Sequence, residues 1–243
     1  MKRLLVIGAV ALMMVSASWG TVTPACTSDT LADYTTPGFA CTVGDKVFSD
    51  FTATLTGVGV STAGVGITIT PDNNPTLGPG IDLSLTGFSV SSGESMDLKF
   101  GYNVNTVSGQ PLIEDASIGI AGAANSGSGL VSIGENVCVG GTFSDLGAGT
   151  GCSTGSGPPN ELELDVQNPG PPAVFFDQKF FAPPVSEAAA FKDISVSGGL
   201  SGSASLSSIS QNWSEVPEPA GVSFMLGAGL LGLGFLRNKF KKA

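Results

Sequence analysis

The chain of 243 residues contains no histidine, the side chain that most often serves as a general base or as a zinc ligand. It has only four cysteines, and no two of them stand in a CxxC spacing. These absences argue against a zinc site and against hydrolysis by a serine–histidine pair. We therefore predict no catalytic residue, no metal-ligand set and no cofactor from the motifs of this chain.

Basic residues are scarce between residues 21 and 215. Only four lysines stand there against 19 acidic residues, a net charge of −15. Such a surface repels phosphate backbones, which excludes nucleic acid as a partner. The same charge keeps an exported protein soluble and leaves weak attraction of Ca²⁺ as an open alternative.

Residues 1–20 have the three-part layout of a secretory signal peptide. Lys2 and Arg3 precede an uncharged run from Leu4 to Val15, and the small residues Ser16, Ala17, Ser18 and Gly20 follow. We predict cleavage after Gly20, with cleavage after Ala17 as the competing site. An uncleaved N-terminal anchor is the other alternative, although the apolar run is short for a membrane span.

The C-terminal segment contains a second apolar run. Residues 220–236 are 17 uncharged residues, about 25 Å of helix, enough for a thin bilayer. They are apolar on every side, so a soluble core helix is disfavoured. The basic residues that follow favour a cytoplasmic C-terminus. These basic residues are Arg237, Lys239, Lys241 and Lys242.

A polar motif, Val216-Pro217-Glu218-Pro219, stands directly before the apolar run. Its prolines hold the backbone extended, and we expect residues 213–219 to be exposed beside the membrane. With the glycine-rich run at 227–234 and the basic tail at 237–243, residues 216–243 resemble the PEP-CTERM sorting signal. The resemblance implies recognition by an exosortase, a membrane-embedded cysteine transpeptidase-like enzyme. It also implies release toward the cell surface or an extracellular polysaccharide matrix, with a plain single-pass membrane anchor as the alternative.

An even number of cysteines in an exported chain predicts disulfide bonds. Four cysteines allow three pairings. The nearest-neighbour pairing, Cys26 with Cys41 and Cys138 with Cys152, closes two short local loops and is the one that we favour. Each bond is expected to stabilise the fold by ~3 kcal/mol.

Apolar residues alternate with polar ones along much of the chain, the period of half-buried antiparallel strands. In residues 47–55 the predicted inward face carries Val47, Phe51, Ala53 and Leu55. The phase slips at Gly87 within residues 81–90, which predicts a β-bulge there. Further strands are predicted at 66–70, 96–104, 117–121, 130–139, 162–166, 173–181, 191–196 and 203–210.

A chain with this many predicted strands buries their apolar faces best as two sheets packed face to face. We therefore predict one all-β domain, residues 21–215, with an antiparallel β-sandwich or jelly-roll-like fold. An N-terminal signal helix and a C-terminal transmembrane helix flank it, and residues 142–159 form its longest loop.

Three short motifs match familiar patterns without their usual context. Gly151–Gly155 matches GxSxG, but no histidine accompanies it. Gly227–Gly232 matches GxGxxG inside the predicted membrane span. Asn212-Trp213-Ser214 matches the glycosylation sequon, which has no expected role in a bacterial exported protein. None of the three predicts a function.

Acidic residues alternate along one predicted strand, opposite Leu162, Leu164 and Val166. Such a row is typical of a solvated face, with a weak Ca²⁺ site as the alternative. The row consists of Glu161, Glu163 and Asp165. The acidic residues near predicted loops are interpreted in the same way: Asp29, Asp33, Asp45 and Asp72.

The sequence thus predicts an exported, membrane-tethered protein with a structural or adhesive role, and not an enzyme. A carbohydrate-binding module is the alternative and a hydrolase ranks third. Sugar binding requires exposed aromatic side chains, whereas Trp19 lies in the predicted signal peptide and Trp213 beside the membrane. The remaining candidates are Tyr34, Tyr102, Phe175, Phe176, Phe180 and Phe181.

Overall fold

The computed structural model describes residues 23–170 and 172–216. The predicted signal peptide, residues 217–219 of the sorting motif, the span at 220–236 and the basic tail lie outside these residues. Within the described ranges, no helix is long and apolar enough to cross a membrane.

The described residues form seventeen strands and one short helix, α1 (Leu31–Tyr34). The strands are β1 (Asp29–Thr30), β2 (Ala40–Val43), β3 (Lys46–Val58), β4 (Gly66–Asn74), β5 (Gly78–Thr86), β6 (Ser89–Val90), β7 (Ser95–Thr106), β8 (Ile113–Ala121), β9 (Ala124–Ser126), β10 (Leu130–Val139), β11 (Phe143–Asp145), β12 (Thr150–Cys152), β13 (Glu161–Asn168), β14 (Phe176–Val185), β15 (Glu187–Ser197), β16 (Ser203–Ser205) and β17 (Ser208–Asn212).

Twelve of these strands build two six-stranded sheets. Sheet A has the order β13-β10-β15-β7-β3-β2, and sheet B has the order β1-β4-β5-β17-β8-β14. Neighbouring strands in both sheets are antiparallel. The predicted all-β antiparallel sandwich is confirmed.

The alternation of β7 explains how sheet A faces sheet B. Met96, Leu98, Phe100, Tyr102 and Val104 are all buried in one core cluster, because every second side chain of a strand points to the same face. β7 lies between β15 and β3 near the middle of sheet A, so this row occupies the centre of the core.

The predicted inward face of β3 is wrong at its first residue. The strand pairs Ser49 with Asn103 and Thr52 with Gly101, so two residues oppose one and a β-bulge interrupts the ladder. Asp50 occupies the bulge with a φ of 56°. The extra residue turns both Phe48 and Phe51 into the core, whereas Val47 is only partly buried.

The bulge predicted at Gly87 is a strand end instead. β5 stops at Thr86, and Gly87 adopts a φ of 69°. A Cβ atom at this position would come within 2.6 Å of the Gly64 carbonyl oxygen, so the tight turn requires glycine. The chain then enters a small three-stranded sheet, β6-β16-β9. The strand predicted at 203–210 is likewise divided, because β16 belongs to this small sheet and β17 to sheet B.

Residues 213–216 are part of the fold, and the prediction that this segment is exposed is wrong at Trp213. The Trp213 side chain is fully buried. The Glu114 N–H donates to the Ser214 carbonyl, and the Val216 N–H donates to the Leu112 carbonyl, each at 3.0 Å. The backbone continues past β17 by pairing with the start of β8, and this pairing carries the indole into the end of the core.

Both disulfides form in the predicted pairing. Cys26 and Cys41 have Cα atoms 4.8 Å apart, and Cys138 and Cys152 have Cα atoms 5.3 Å apart. The second bond anchors the hairpin β11–β12, which occupies part of the predicted loop. Phe143 of this hairpin packs with Phe191 on the outer side of sheet A.

Candidate functional site

A groove of about 780 Å³ lies where several turns and strand ends of the sandwich meet. The β2–β3 turn, the β4–β5 turn, residues 110–115, β14 and residues 214–215 all contribute to its lining. Gly44 brings the first two turns together: it has a φ of 58°, and a Cβ atom there would lie 2.9 Å from Pro79 Cγ. The groove is therefore assembled from segments that are far apart in the sequence.

Asp115, at the start of β8, is a buried carboxylate in the groove lining. Its Oδ2 accepts hydrogen bonds from Gln178 Nε2, at 2.8 Å, and from the Ser214 hydroxyl. Its Oδ1 is buried and has no hydrogen-bond partner among the described residues. Unsatisfied buried acceptors are costly, and this oxygen is closed to solvent.

Lys46 holds two further carboxylates at the groove. Its Nζ lies 2.6 Å from Asp45 Oδ1 and 2.9 Å from Glu215 Oε1, and its side chain is fully buried. Burial raises the pKa of the Glu215 carboxyl above its ordinary value; the Asp45 contact adds to this rise and Lys46 opposes it. Asp45 Oδ2 has no hydrogen-bond partner in the described part of the chain. It is the second unpaired acceptor in the groove wall and, like Asp115 Oδ1, it is closed to solvent.

Phe180 supplies an apolar surface at the groove, with 67% of the residue exposed. Phe176 is on the same face of β14, four residues earlier, but it lies outside the groove lining. Of the six aromatic residues considered for sugar contact, three are exposed and three are buried. The exposed ones are Phe175, Phe176 and Phe180; the buried ones are Tyr34, Tyr102 and Phe181.

The groove is acidic and rich in amides. Its lining includes the carboxylates of Asp45, Glu114, Asp115 and Glu215, whereas the Lys46 ammonium is already engaged by two of them. The amide side chains that join them are Asn73, Asn74, Gln110 and Gln178. Such a lining repels anions and offers many partners to neutral hydroxyl groups.

The acidic row predicted on one strand lies on β13, at the edge of sheet A. Glu163 and Asp165 are exposed and Glu161 is half-buried, whereas Leu164 and Val166 are buried on the opposite face. Among the described residues, no group of three or more acidic or cysteine side chains is arranged to hold a metal ion.

The four loop acids considered for weak Ca²⁺ binding do not gather at one site, although Asp29 and Asp33 share Thr30 as a partner. Asp33 accepts a hydrogen bond from Thr30 at the start of α1, which lowers the pKa of its carboxyl. Asp29 accepts from the Thr30 N–H, and Asp72 accepts from Asn212 Nδ2 at 2.8 Å. Of the four loop acids, only Asp45 lines the groove.

The two other motifs on described residues have no site around them. Residues 151–155 run from the end of β12 into a turn. They do not form the strand-to-helix elbow that a nucleophilic serine needs. Asn212 of the sequon is buried, and its Nδ2 donates to Asp72 and to the Gly78 carbonyl. A buried and hydrogen-bonded amide is not accessible for glycosylation.

Sequence reasoning missed most of the groove. Lys46 and Glu215 are separated by 169 positions, and Asp115 belongs to neither of their segments. One signal was available: only four lysines stand against 19 acidic residues between 21 and 215, so each of them was a candidate for pairing with carboxylates. No periodicity links Lys46 to Glu215.

No protein-family model matches the chain, and no curated protein matches it significantly. Among solved structures, the chain is similar to the carbohydrate-binding module TmCBM61, determined in complex with β-1,4-galactotriose. The identity is 11% and the TM-score 0.31, over 67% of this chain and 88% of that one. The enzymatically active domain of bacteriophage CBA120 tailspike protein 4 has 13% identity and a TM-score of 0.27, over 68% of this chain and 20% of that one. Likeness at this level carries no argument about function.

Proposed function

We propose that this chain is an exported adhesive protein that binds a neutral polysaccharide in the groove beside Phe180. The observation that carries the proposal is this exposed ring in a lining that also holds carboxylates and the exposed amide side chains of Asn73 and Gln110. A sugar ring has an apolar face that stacks on an aromatic side chain and a rim of hydroxyl groups that donate to carboxylates. The groove offers both kinds of contact.

The charge of the groove selects the class of glycan. Four carboxylates line it, and the one nearby ammonium group is engaged by Asp45 and Glu215. A polymer of uronic acids would meet repulsion along the whole groove. A neutral hexose polymer meets none and gains the hydrogen bonds.

Sorting by an exosortase would deliver the protein to the cell surface or the polysaccharide matrix, where glycan binding is useful. Two disulfides are typical of an oxidising compartment outside the cytoplasm, in agreement with the predicted signal peptide. In this proposal residues 216–243 tether the exported chain to the membrane, with its C-terminus in the cytoplasm, until the enzyme releases it to the surface or the matrix. The groove borders residues 214–215, immediately before the sorting motif.

The test is binding of the exported protein to immobilised neutral hexose polymers and, in parallel, to uronate polymers. We expect binding to the neutral set alone. Phe180→Ala should weaken it about tenfold, whereas the matched variant Phe176→Ala should leave it unchanged. Failure to bind any neutral polymer, or equal losses in both variants, would overturn the proposal.

Glycoside hydrolysis is the second candidate, because carboxylates gather in one groove and the pKa of Glu215 is raised. Against it, Glu215 is paired with Lys46, and Asp115 already accepts hydrogen bonds from Gln178 and Ser214. We expect no release of reducing ends from the polymers that bind. Turnover that Glu215→Gln abolishes would make this protein a glycosidase instead.

A further inference from the structure

A lysine, a glutamate and a glutamine meet inside the closed core between the two sheets. Lys192 of β15 and Glu135 of β10 are directly opposite in sheet A, with Nζ and Oε2 3.3 Å apart. Gln211 reaches them from β17 of sheet B, and its amide lies against the Glu135 carboxyl. All three residues are at most 1% exposed.

The polar atoms of this cluster are poorly satisfied. Both Glu135 oxygens, Lys192 Nζ and both Gln211 amide atoms lack a hydrogen bond of good geometry among the described residues. The Tyr102 ring centroid lies 5.2 Å from Lys192 Nζ, and the negative charge of Asp177 also acts on Glu135. Since buried polar groups are nearly always hydrogen-bonded, five unsatisfied atoms in one place require an explanation.

Burial also drives the ion pair toward its neutral form. Loss of solvent lowers the pKa of the Lys192 ammonium and raises the pKa of the Glu135 carboxyl, whereas their mutual attraction opposes both shifts. Transfer of one proton from Lys192 to Glu135 leaves an uncharged amine and a carboxylic acid. An uncharged amine is a nucleophile, and the Gln211 carboxamide, which contacts the same Glu135 carboxyl, is an acyl group.

We propose that Lys192 and Gln211 condense into an intramolecular isopeptide bond that joins the two sheets, with Glu135 as the proton carrier. The Nζ lone pair attacks Gln211 Cδ, and the carbonyl electron pair moves to Oε1, where the Glu135 acid donates a hydrogen bond. The Glu135 carboxyl then takes a proton from Nζ and delivers one to Nε2. The Cδ–Nε2 bond breaks and ammonia leaves, so the reaction needs no oxidant and no cofactor.

The isopeptide bond would reduce the number of buried polar atoms that lack a hydrogen-bond partner. Condensation removes the buried ammonium and the free amide nitrogen, and it leaves one N–H donor and one carbonyl acceptor beside a neutral Glu135. Burying an amide with its hydrogen bonds made costs far less than burying a charge with poor partners. A covalent bond between the sheets also suits an adhesive protein under tension.

Lys46 provides an internal control for this chemistry. It is equally buried, but its neighbours are the carboxylates of Asp45 and Glu215 and the Pro111 carbonyl. No side-chain amide is among these contacts, and the ammonium is well paired. Lys46 should therefore keep its free side chain.

The experiment is mass measurement of the exported protein, intact and after unfolding, reduction and tryptic digestion. We expect the mass to be lower by one ammonia than the sequence requires. We expect trypsin to fail after Lys192 but to cut after Lys46, and the missing ammonia should map to the peptide that contains both Lys192 and Gln211. Glu135→Gln, which keeps the shape but removes the proton carrier, should restore the full mass and the cut after Lys192.

The wild-type measurement decides the proposal even where the variant fails to fold. A folded wild-type protein with the full mass, cut by trypsin after Lys192, overturns it. An ammonia loss that maps elsewhere, or that persists in a folded Glu135→Gln variant, overturns it as well. The proposal is independent of glycan binding, which the mass measurement does not examine.

Discussion

Trp213 Nε1 donates a hydrogen bond of 3.2 Å to the hydroxyl of Tyr102, and the two rings stand edge to face with centroids 6.3 Å apart. Tyr102 lies in β7 of sheet A, and Trp213 directly follows β17 of sheet B. The contact therefore ties the last described segment to the far side of the core. Phe181 of β14 packs on the same indole at 6.4 Å.

Substitution of Trp213 tests this structural role. Trp213→Ala should lower the free energy of unfolding by about 3–5 kcal/mol, because it empties a large buried site. Trp213→Phe should cost less but still about 1–3 kcal/mol, because the Tyr102 hydroxyl loses its partner. Urea unfolding measures both, and the exposed Phe176→Ala is the control, with an expected change within about 0.5 kcal/mol. Unchanged stability of the alanine variant would contradict the burial of this side chain.

Asp97 should make stability depend on pH. Burial, together with a hydrogen bond and repulsion from Asp193, raises its pKa from 3.8 to about 6. The folded protein therefore holds this proton more tightly than the unfolded chain, and the stabilisation present below pH 3.8 is lost as the pH rises through about 6.

Asp97→Asn mimics the protonated form at every pH. The variant should be more stable than the wild type at pH 7, by about 1 kcal/mol after solvent screening, and equal to it near pH 3.8. Thermal unfolding across this range measures the difference, with Glu163→Gln on the exposed face of β13 as the control for loss of one charge. A difference in stability between wild type and Asp97→Asn that does not change with pH would refute the raised pKa of Asp97.

The Cys138–Cys152 bond should stabilise the hairpin β11–β12 against sheet A. Replacement of both cysteines by serine should lower the free energy of unfolding by ~3 kcal/mol, since the bond closes a loop with a sequence separation of 14. Nonreducing peptide mapping should also recover this pair and Cys26–Cys41. Free thiols at these positions in the exported protein, or crossed pairs, would show the pairing to be wrong.

Alanine at Pro217, Glu218 and Pro219 should separate a temporary anchor from a permanent one. Export and insertion should persist, because the apolar run and the basic tail are intact. Release should stop, because the proposed recognition motif is gone. The assay is fractionation in a host that carries the processing enzyme, with mass measurement of the C-terminus. Native protein that stays in the membrane with residues 237–243 attached would leave a plain single-pass anchor as the better description.

Most strands of the sandwich could be predicted from local pattern, but the exceptions to regular alternation could not. Alternation identified β7 and the inward residues of β13, because strand periodicity is a property of neighbouring residues. The face of Phe48 was missed because the bulge at Asp50 depends on pairing with β7. Gly87 was assigned to a bulge because a phase slip and a strand end have the same local pattern.

What the sequence by itself determined is the information that short stretches contain: the all-β class, the pairing of nearest cysteines, the acidic charge and the layout of the two termini. Only the tertiary structure decided the burial of Trp213, the groove around Asp115 and the cluster of Lys192, Glu135 and Gln211. These sites are made of residues that antiparallel pairing brings together from distant parts of the chain. Residue periodicity specifies which face of a strand is apolar, whereas strand order and register specify which side chains meet, and no local pattern encodes them.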